Sequence, residues 1–115
     1  VLYSTVAVKV GMPFHASVAA SKGALEGLGK SLAAELAPNT RVNVIAPSIT
    51  NTPLADRFLN NETKLEKSAQ RHPLKRVGKA EDVASMTCFL LSDESSWMTG
   101  QIIGLDGGMS SLNTH

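Results

Sequence analysis

The most constraining feature of this chain is a change of hydrophobic period. Across residues 17–37, Leu25, Leu28, Leu32 and Leu36 recur at spacings of three and four, the signature of a helix with one apolar stripe, and Pro38 must end it. After a very short turn, the run Val42-Asn43-Val44-Ile45-Ala46 is β-branched and nearly continuous in apolar character until Pro47. Such a run predicts a strand buried on both faces, as parallel sheets require. The opening residues 1–6, VLYSTV, read the same way. A strand, a long helix and a second buried strand in that order predict parallel pairing through a right-handed crossover.

The remainder extends the pattern. Residues 54–72 are polar and predict one or two short helices interrupted near Asn60 and Asn61, a segment suited to fold over substrate as a lid. In KAEDVASMTCFLLSD, the residues Val83, Met86, Thr87, Leu90 and Leu91 predict one buried helical face, with Glu81 and Asp82 in the first turn where the helix dipole favours them. QIIGLDG, reached through the turn MTG, reads as the last strand. The expected fold class is therefore α/β, with three parallel strands and flanking helices. The long helix carries a second stripe of small residues, Ala20, Gly23, Ala24, Gly27, Ser31 and Ala34. A glycine in a helix interior costs about 1 kcal/mol, so Gly23 and Gly27 predict the close approach of another backbone. A parallel sheet needs cover on both faces and more than three strands. Missing partners are therefore expected: an N-terminal half absent from this chain, another subunit, or both.

Composition narrows the function classes. With 11 Lys and Arg against 10 Asp and Glu, the formal net charge is +1, and neither a nucleic-acid nor a membrane partner is expected. The basic run RHPLKR, residues 71–76, is broken by Pro73, lacks stacking aromatics and predicts a solvated loop. No apolar run approaches the ~18 residues of a membrane span and no signal peptide opens the chain. A single cysteine, Cys88, rules out an internal disulfide and suits a reducing, cytoplasmic compartment. Its apolar neighbours predict core packing, and no metal is expected.

Read together, STVAVKVG, ASKGALEGLGKSLAAELAPNTRVNVIAPSITNTPL and RVGKAEDVASMTCFLLSDESSWMTGQIIGLDGG resemble, in order and spacing, the C-terminal half of the short-chain dehydrogenases/reductases. The resemblance implies a Rossmann-type, doubly wound parallel sheet. Residues 1–115 would form the C-terminal half of a single dinucleotide-binding domain, and the family's glycine-rich fingerprint is not among them. It implies NAD or NADP as cofactor, a small-molecule carbonyl or alcohol substrate, and a homodimer or homotetramer packed through the small-residue helix face. It also assigns residues. In the family a Tyr-x-x-x-Lys pair opens the long helix, where residues four apart share a face. The ammonium lowers the phenol's pKa and also bonds the nicotinamide ribose. Here Lys22 is present and Val18 stands at the tyrosine position. The substrate-orienting serine corresponds to Thr5, with Ser4 beside it. Pro47-Ser48 stands where the family has Pro-Gly, and Thr50 and Thr52 correspond to positions that hold the nicotinamide carboxamide.

Each assignment has a plainer alternative. Lys22 could pair with Glu26 one turn later. Thr5 could be a β-branched filler at a strand end. Thr52 before Pro53 is an N-cap and N1 combination, a role compatible with a cofactor contact. His15, on the loop entering the helix, could replace the missing acid or merely face solvent. Asp106 with two glycines fits turn chemistry. Valine has no proton to give, so two functions stand open: an oxidoreductase with rewired or weak catalysis, and a catalytically degenerate member that acts as a nucleotide-binding or structural subunit.

Overall fold

The structure, a computed structural model, describes residues 1–114. Three parallel strands form the sheet: β1 (Leu2–Tyr3), β2 (Val44–Pro47) and β5 (Ile102–Leu105), in the order β1-β2-β5. Leu2 pairs with Val44 and Tyr3 with Ile45; on the other side Val44 pairs with Ile102 and Pro47 with Leu105. Between them run α1 (Ala16–Leu36), a two-residue β3 (Thr50–Asn51), α2 (Asp56–Leu59), α3 (Glu62–Gln70), β4 (Gly78–Lys79) and α4 (Ala80–Leu91). The α/β parallel architecture is the expected one. The short parallel ladder between β3 and β4, which ties the exit of β2 to the entry of α4, has no signal in the sequence.

The first strand is shorter than residues 1–6. The Ser4 amide donates the last bond, to the Ile45 carbonyl at 2.7 Å, and the chain then turns into a 3₁₀ helix at Val6–Val8. Thr5 makes that turn by accepting the Ala7 amide on its hydroxyl, and Val6 and Ala7 are buried in the bend instead of in a strand. The helix α1 starts and ends within one residue of expectation. Ala37, before Pro38, takes the extended conformation that proline imposes on its predecessor.

How α1 seats on the sheet corrects the stripe reading. Its buried residues are Gly29 and Ala33. Leu28 and Leu36 are 49% and 42% exposed, so the leucine stripe straddles the contact instead of filling it. The close approach belongs to Gly29, where a Cβ would stand 2.7 Å from Val44 Cγ2. Among the described residues a Cβ at Gly27 would meet nothing within 4 Å outside its own helix, and one at Gly23 only Val8 at 3.8 Å. The face formed by Ala20, Ala24, Gly27, Ser31 and Ala34 is open to solvent, as expected of this chain taken alone.

In α4, Val83, Met86 and Thr87 are half-buried and Leu90 is buried, but Leu91 is exposed. Cys88 is exposed too, against the expectation of core packing. Two residues before Leu90, it points some 200° around the helix from the buried face. Residues 56–70 form two helices broken at Asn60 and Asn61 as the sequence predicts, and the Asn61 side chain caps α3 by accepting the Lys64 amide at 2.9 Å. Leu59 and Ala69 bury their side chains and anchor this segment.

Two polar residues of the short turn before β2 hold the opposite end of the sheet. The Arg41 guanidinium donates to the Leu90 carbonyl in the last turn of α4, to the carbonyls of Ser92, Ser95 and Met98 in the segment after it and to the Ser95 hydroxyl, tying that segment to the turn before β2. Buried Asn43 donates to the Met98 carbonyl and accepts the Gln101 amide, fixing where β5 begins.

Candidate functional site

Ligands of open parallel sheets bind beyond the carboxyl ends of the strands. At the end of β1, Lys22 projects from the second turn of α1 and its Nζ donates to the Tyr3 carbonyl at 2.9 Å. Glu26 is not its partner; that carboxylate accepts the hydroxyl of buried Ser4. The ammonium is thus held against the strand end, and the local ion pair that the sequence allowed is not formed. Val18 lies one turn earlier on the same face and is 47% exposed, an apolar surface beside a cation. Thr5 sits at the same strand end, with its hydroxyl oxygen engaged in capping the 3₁₀ turn.

His15 occupies the N-cap position of α1 without capping it. Its Nδ1 donates to the Pro13 carbonyl at 2.7 Å, which fixes Nδ1 as the protonated nitrogen, and the residue is exposed. Beside it Phe14 is fully exposed and adopts φ 63°, a left-handed conformation uncommon for an aromatic residue.

A second cluster lies at the end of β2. From Pro47 the chain runs through Ser48 to Thr50, whose hydroxyl donates back to the Ser48 carbonyl at 3.1 Å. Thr52 stands at the N-cap of a 3₁₀ helix, Pro53–Ala55, as predicted, but its hydroxyl does not cap; it turns back to the Thr50 carbonyl at 3.4 Å. The cap is made by the backbone, with the Ala55 amide donating to the Thr52 carbonyl. The Ser48 hydroxyl lies 2.8 Å from His72 Nε2 and 3.1 Å from Met109 Sδ. His72 is only 3% exposed, which corrects the reading of RHPLKR as wholly solvated: Arg71, Leu74, Lys75 and Arg76 are exposed, while His72 turns inward. A cavity of about 100 Å³ opens beside this cluster, lined by Ser48, Thr50, His72, Arg76 and Asp106 among others; Lys22 and Val18 are not part of its wall.

Two carboxylates shape the rim. Asp82 takes both Arg76 nitrogens, at 2.7 and 3.1 Å, and also accepts the Lys79 amide at 2.8 Å as α4 starts. These contacts, the guanidinium first, lower its pKa to about 2. Asp106 does turn chemistry, as expected: it accepts the Gly108 and Ser110 amides, and Gly107 and Gly108 take φ of 61° and 87° as the turn requires. Burial pushes its pKa up, yet the hydrogen bonds from Ser110 and Gly108 outweigh that and hold it below the usual carboxylate value. Sequence reasoning missed His72, Arg41 and Asn43 because their partners lie 24 to 58 residues away, beyond any local pattern.

Residues 1–110 match the family model described as enoyl-(acyl carrier protein) reductase. The chain is 46% identical over 100 residues to 3-oxoacyl-(acyl-carrier-protein) reductase FabG of Thermotoga maritima, covering 86% of this chain and 40% of that protein. This chain belongs to the short-chain dehydrogenase/reductase family. Among solved structures, a short-chain dehydrogenase/reductase from Brucella melitensis superposes with a TM-score of 0.86 at 36% identity over 93% of this chain and 43% of that one. A 4-hydroxyisoleucine dehydrogenase complexed with NADH gives 0.89 at 30% identity, over 96% of this chain and 46% of that one. The short-chain dehydrogenase/reductase residues present here thus span less than half the length of the relatives they match, and the sheet is the Rossmann type of those structures.

Proposed function

We propose that this chain supplies one side of the nicotinamide site of an NAD- or NADP-dependent oxidoreductase acting on a small carbonyl or alcohol substrate. The observation that carries the reading is the Lys22 ammonium, fixed on the Tyr3 carbonyl at the carboxyl end of β1, beside the loop that leaves β2. Residues 1–115 act as the C-terminal half of one dinucleotide-binding domain, which agrees with the share of the relatives they cover. The donor groups suit a nicotinamide nucleotide: a cation for ribose hydroxyls, and a loop whose hydroxyls on Ser48, Thr50 and Thr52 lie at the adjoining strand end. When bound, the cofactor gives or takes the hydride at the substrate carbon.

The residues of this chain do the rest. Lys22 binds ribose and adds positive charge where the substrate oxygen develops negative charge. The loop from Pro47 to Thr52 orients the carboxamide, and Thr5 lies where a substrate oxygen is oriented. Val18 cannot exchange a proton, so protonation of that oxygen falls to water or to the His15 imidazolium, which keeps Nδ1–H on the Pro13 carbonyl and gives the proton from Nε2, free of protein partners among the described residues, to leave the neutral ring. The segment containing α2 and α3 covers the substrate. The open small-residue face of α1 packs on its equivalent in a homodimer or homotetramer, and the protein works in the cytoplasm.

The second reading, a nucleotide-binding or structural subunit without turnover, rests on Val18 alone. Nicotinamide fluorescence on the full-length protein, with a panel of ketones, separates the two. Turnover lost in His15→Ala supports rewired proton transfer; binding without oxidation or reduction supports the second reading. Val18→Tyr is expected to raise reductase activity by about 10²-fold or more, the usual contribution of a positioned acid.

A further inference from the structure

We propose that His72 is a positioning residue for the nicotinamide end of the bound dinucleotide, acting through Ser48. The inference rests on the nucleotide-binding reading above and adds to it a residue that no short motif singles out. His72 is nearly fully buried, and its two ring nitrogens are both engaged. Nδ1 donates to the Ser68 carbonyl at 2.7 Å, one turn back at the end of α3, and Nε2 meets the Ser48 hydroxyl at 2.8 Å. A carbonyl can only accept, so the ring is locked in orientation and presents Nε2 to Ser48.

Ser48 is the first residue beyond β2, and three elements meet on it. Its amide donates to the Leu105 carbonyl at the end of β5, its carbonyl accepts the Thr50 hydroxyl, and its side chain reaches His72. Behind the imidazole, the Leu74 amide donates to the Gly107 carbonyl, so the same corner is pinned to the turn after β5. His72 lies alongside that turn: its Cβ and ring Cδ2 stand 3.5 and 3.6 Å from where a side chain on Gly107 would begin. The exit loop of β2 is therefore held by an imidazole delivered from α3, and the segment that covers the substrate and the loop that orients the carboxamide share one hydrogen bond. Without it, the Pro47 to Thr52 loop keeps its backbone anchors and the Ser48 hydroxyl keeps only the weaker contact to Met109 Sδ, losing the imidazole that sets its orientation.

The test compares two ligands on the full-length protein. NADH or NADPH, whichever the protein binds, carries the nicotinamide; ADP-ribose lacks it. Ser48→Ala and His72→Ala are each expected to weaken the dinucleotide about three- to tenfold, the worth of one hydrogen bond. ADP-ribose should change by less than about twofold, and the double variant should be no worse than either single one. Equal losses for both ligands, additive losses, or no loss in Ser48→Ala would overturn the proposal. If His72→Ala fails to fold, Ser48→Ala with the two ligands decides alone. A wild-type protein that binds neither ligand refutes the nucleotide reading itself, a result distinct from all of these.

Discussion

At the scale of single residues, the same residue type plays opposite parts along α1. Gly29 lies against Val44 with no room for a methyl group, whereas Gly27 faces open space. Gly29→Ala is therefore expected to destabilise the fold by about 1–3 kcal/mol through overpacking, despite alanine's higher helix propensity, and urea titration would show it as a lowered midpoint. Asp82 yields a pH prediction. Its pKa in the folded state is about 2, below the ordinary value of 3.8, because Arg76 and the Lys79 amide favour the charged form. Its stabilising contribution is thus fully present above the ordinary value and lost as pH falls toward 2. Asp82→Asn should flatten the stability profile in that acid window and leave its slope near neutrality unchanged. Since the pair is exposed, added salt should shrink the difference.

At the scale of elements, the end of α4 depends on a side chain from another part of the chain. Arg41 reaches four carbonyls and a hydroxyl there, a fan of bonds that only a planar guanidinium can make. Arg41→Lys is expected to cost about 2–4 kcal/mol, since hydrogen bonds from a charged donor are each worth about 1.5–3 kcal/mol and several are lost. Hydrogen exchange should locate the loosening in the last turn of α4 and in the start of β5, where Asn43 works alongside. The elements themselves are legible: α1 follows from its leucine period and Pro38, and the interruption near Asn60 and Asn61 is where the sequence puts it, while the Asn61 cap is seen only in the structure. Residues 4–6 are not legible as a bend because apolar residues bury their side chains in a 3₁₀ turn as they do in a strand. Only the Thr5 cap and the Ser4 bond to Ile45 distinguish them. The exposure of Cys88 and Leu91 is hidden for a related reason: an apolar run on a helix does not say where the buried face stops.

At the scale of the molecule, three short strands carry helices whose outer faces remain uncovered. Tyr3, Leu28, Leu36, Phe58 and Trp97 are all substantially exposed, and the small-residue face of α1 is bare. If that face packs on its equivalent in a second copy, Gly27→Trp should dissociate the assembly while leaving the helix seated on its sheet. Among the described residues nothing lies within 4 Å of where a side chain at that position would begin. Sedimentation velocity reads the first effect and far-ultraviolet circular dichroism the second. Unchanged mass in the variant would remove α1 from the interface.

The sequence alone determined the parallel strand–helix–strand order, the family, and the presence of a lysine one turn after a valine, because period, proline stops and motif spacing are local properties. Only the tertiary structure decided what that lysine touches, which glycine meets the sheet, and that His72 turns inward to Ser48. Those outcomes depend on contacts between segments distant in the chain, where the geometry of packing and not the identity of neighbouring residues selects the partner.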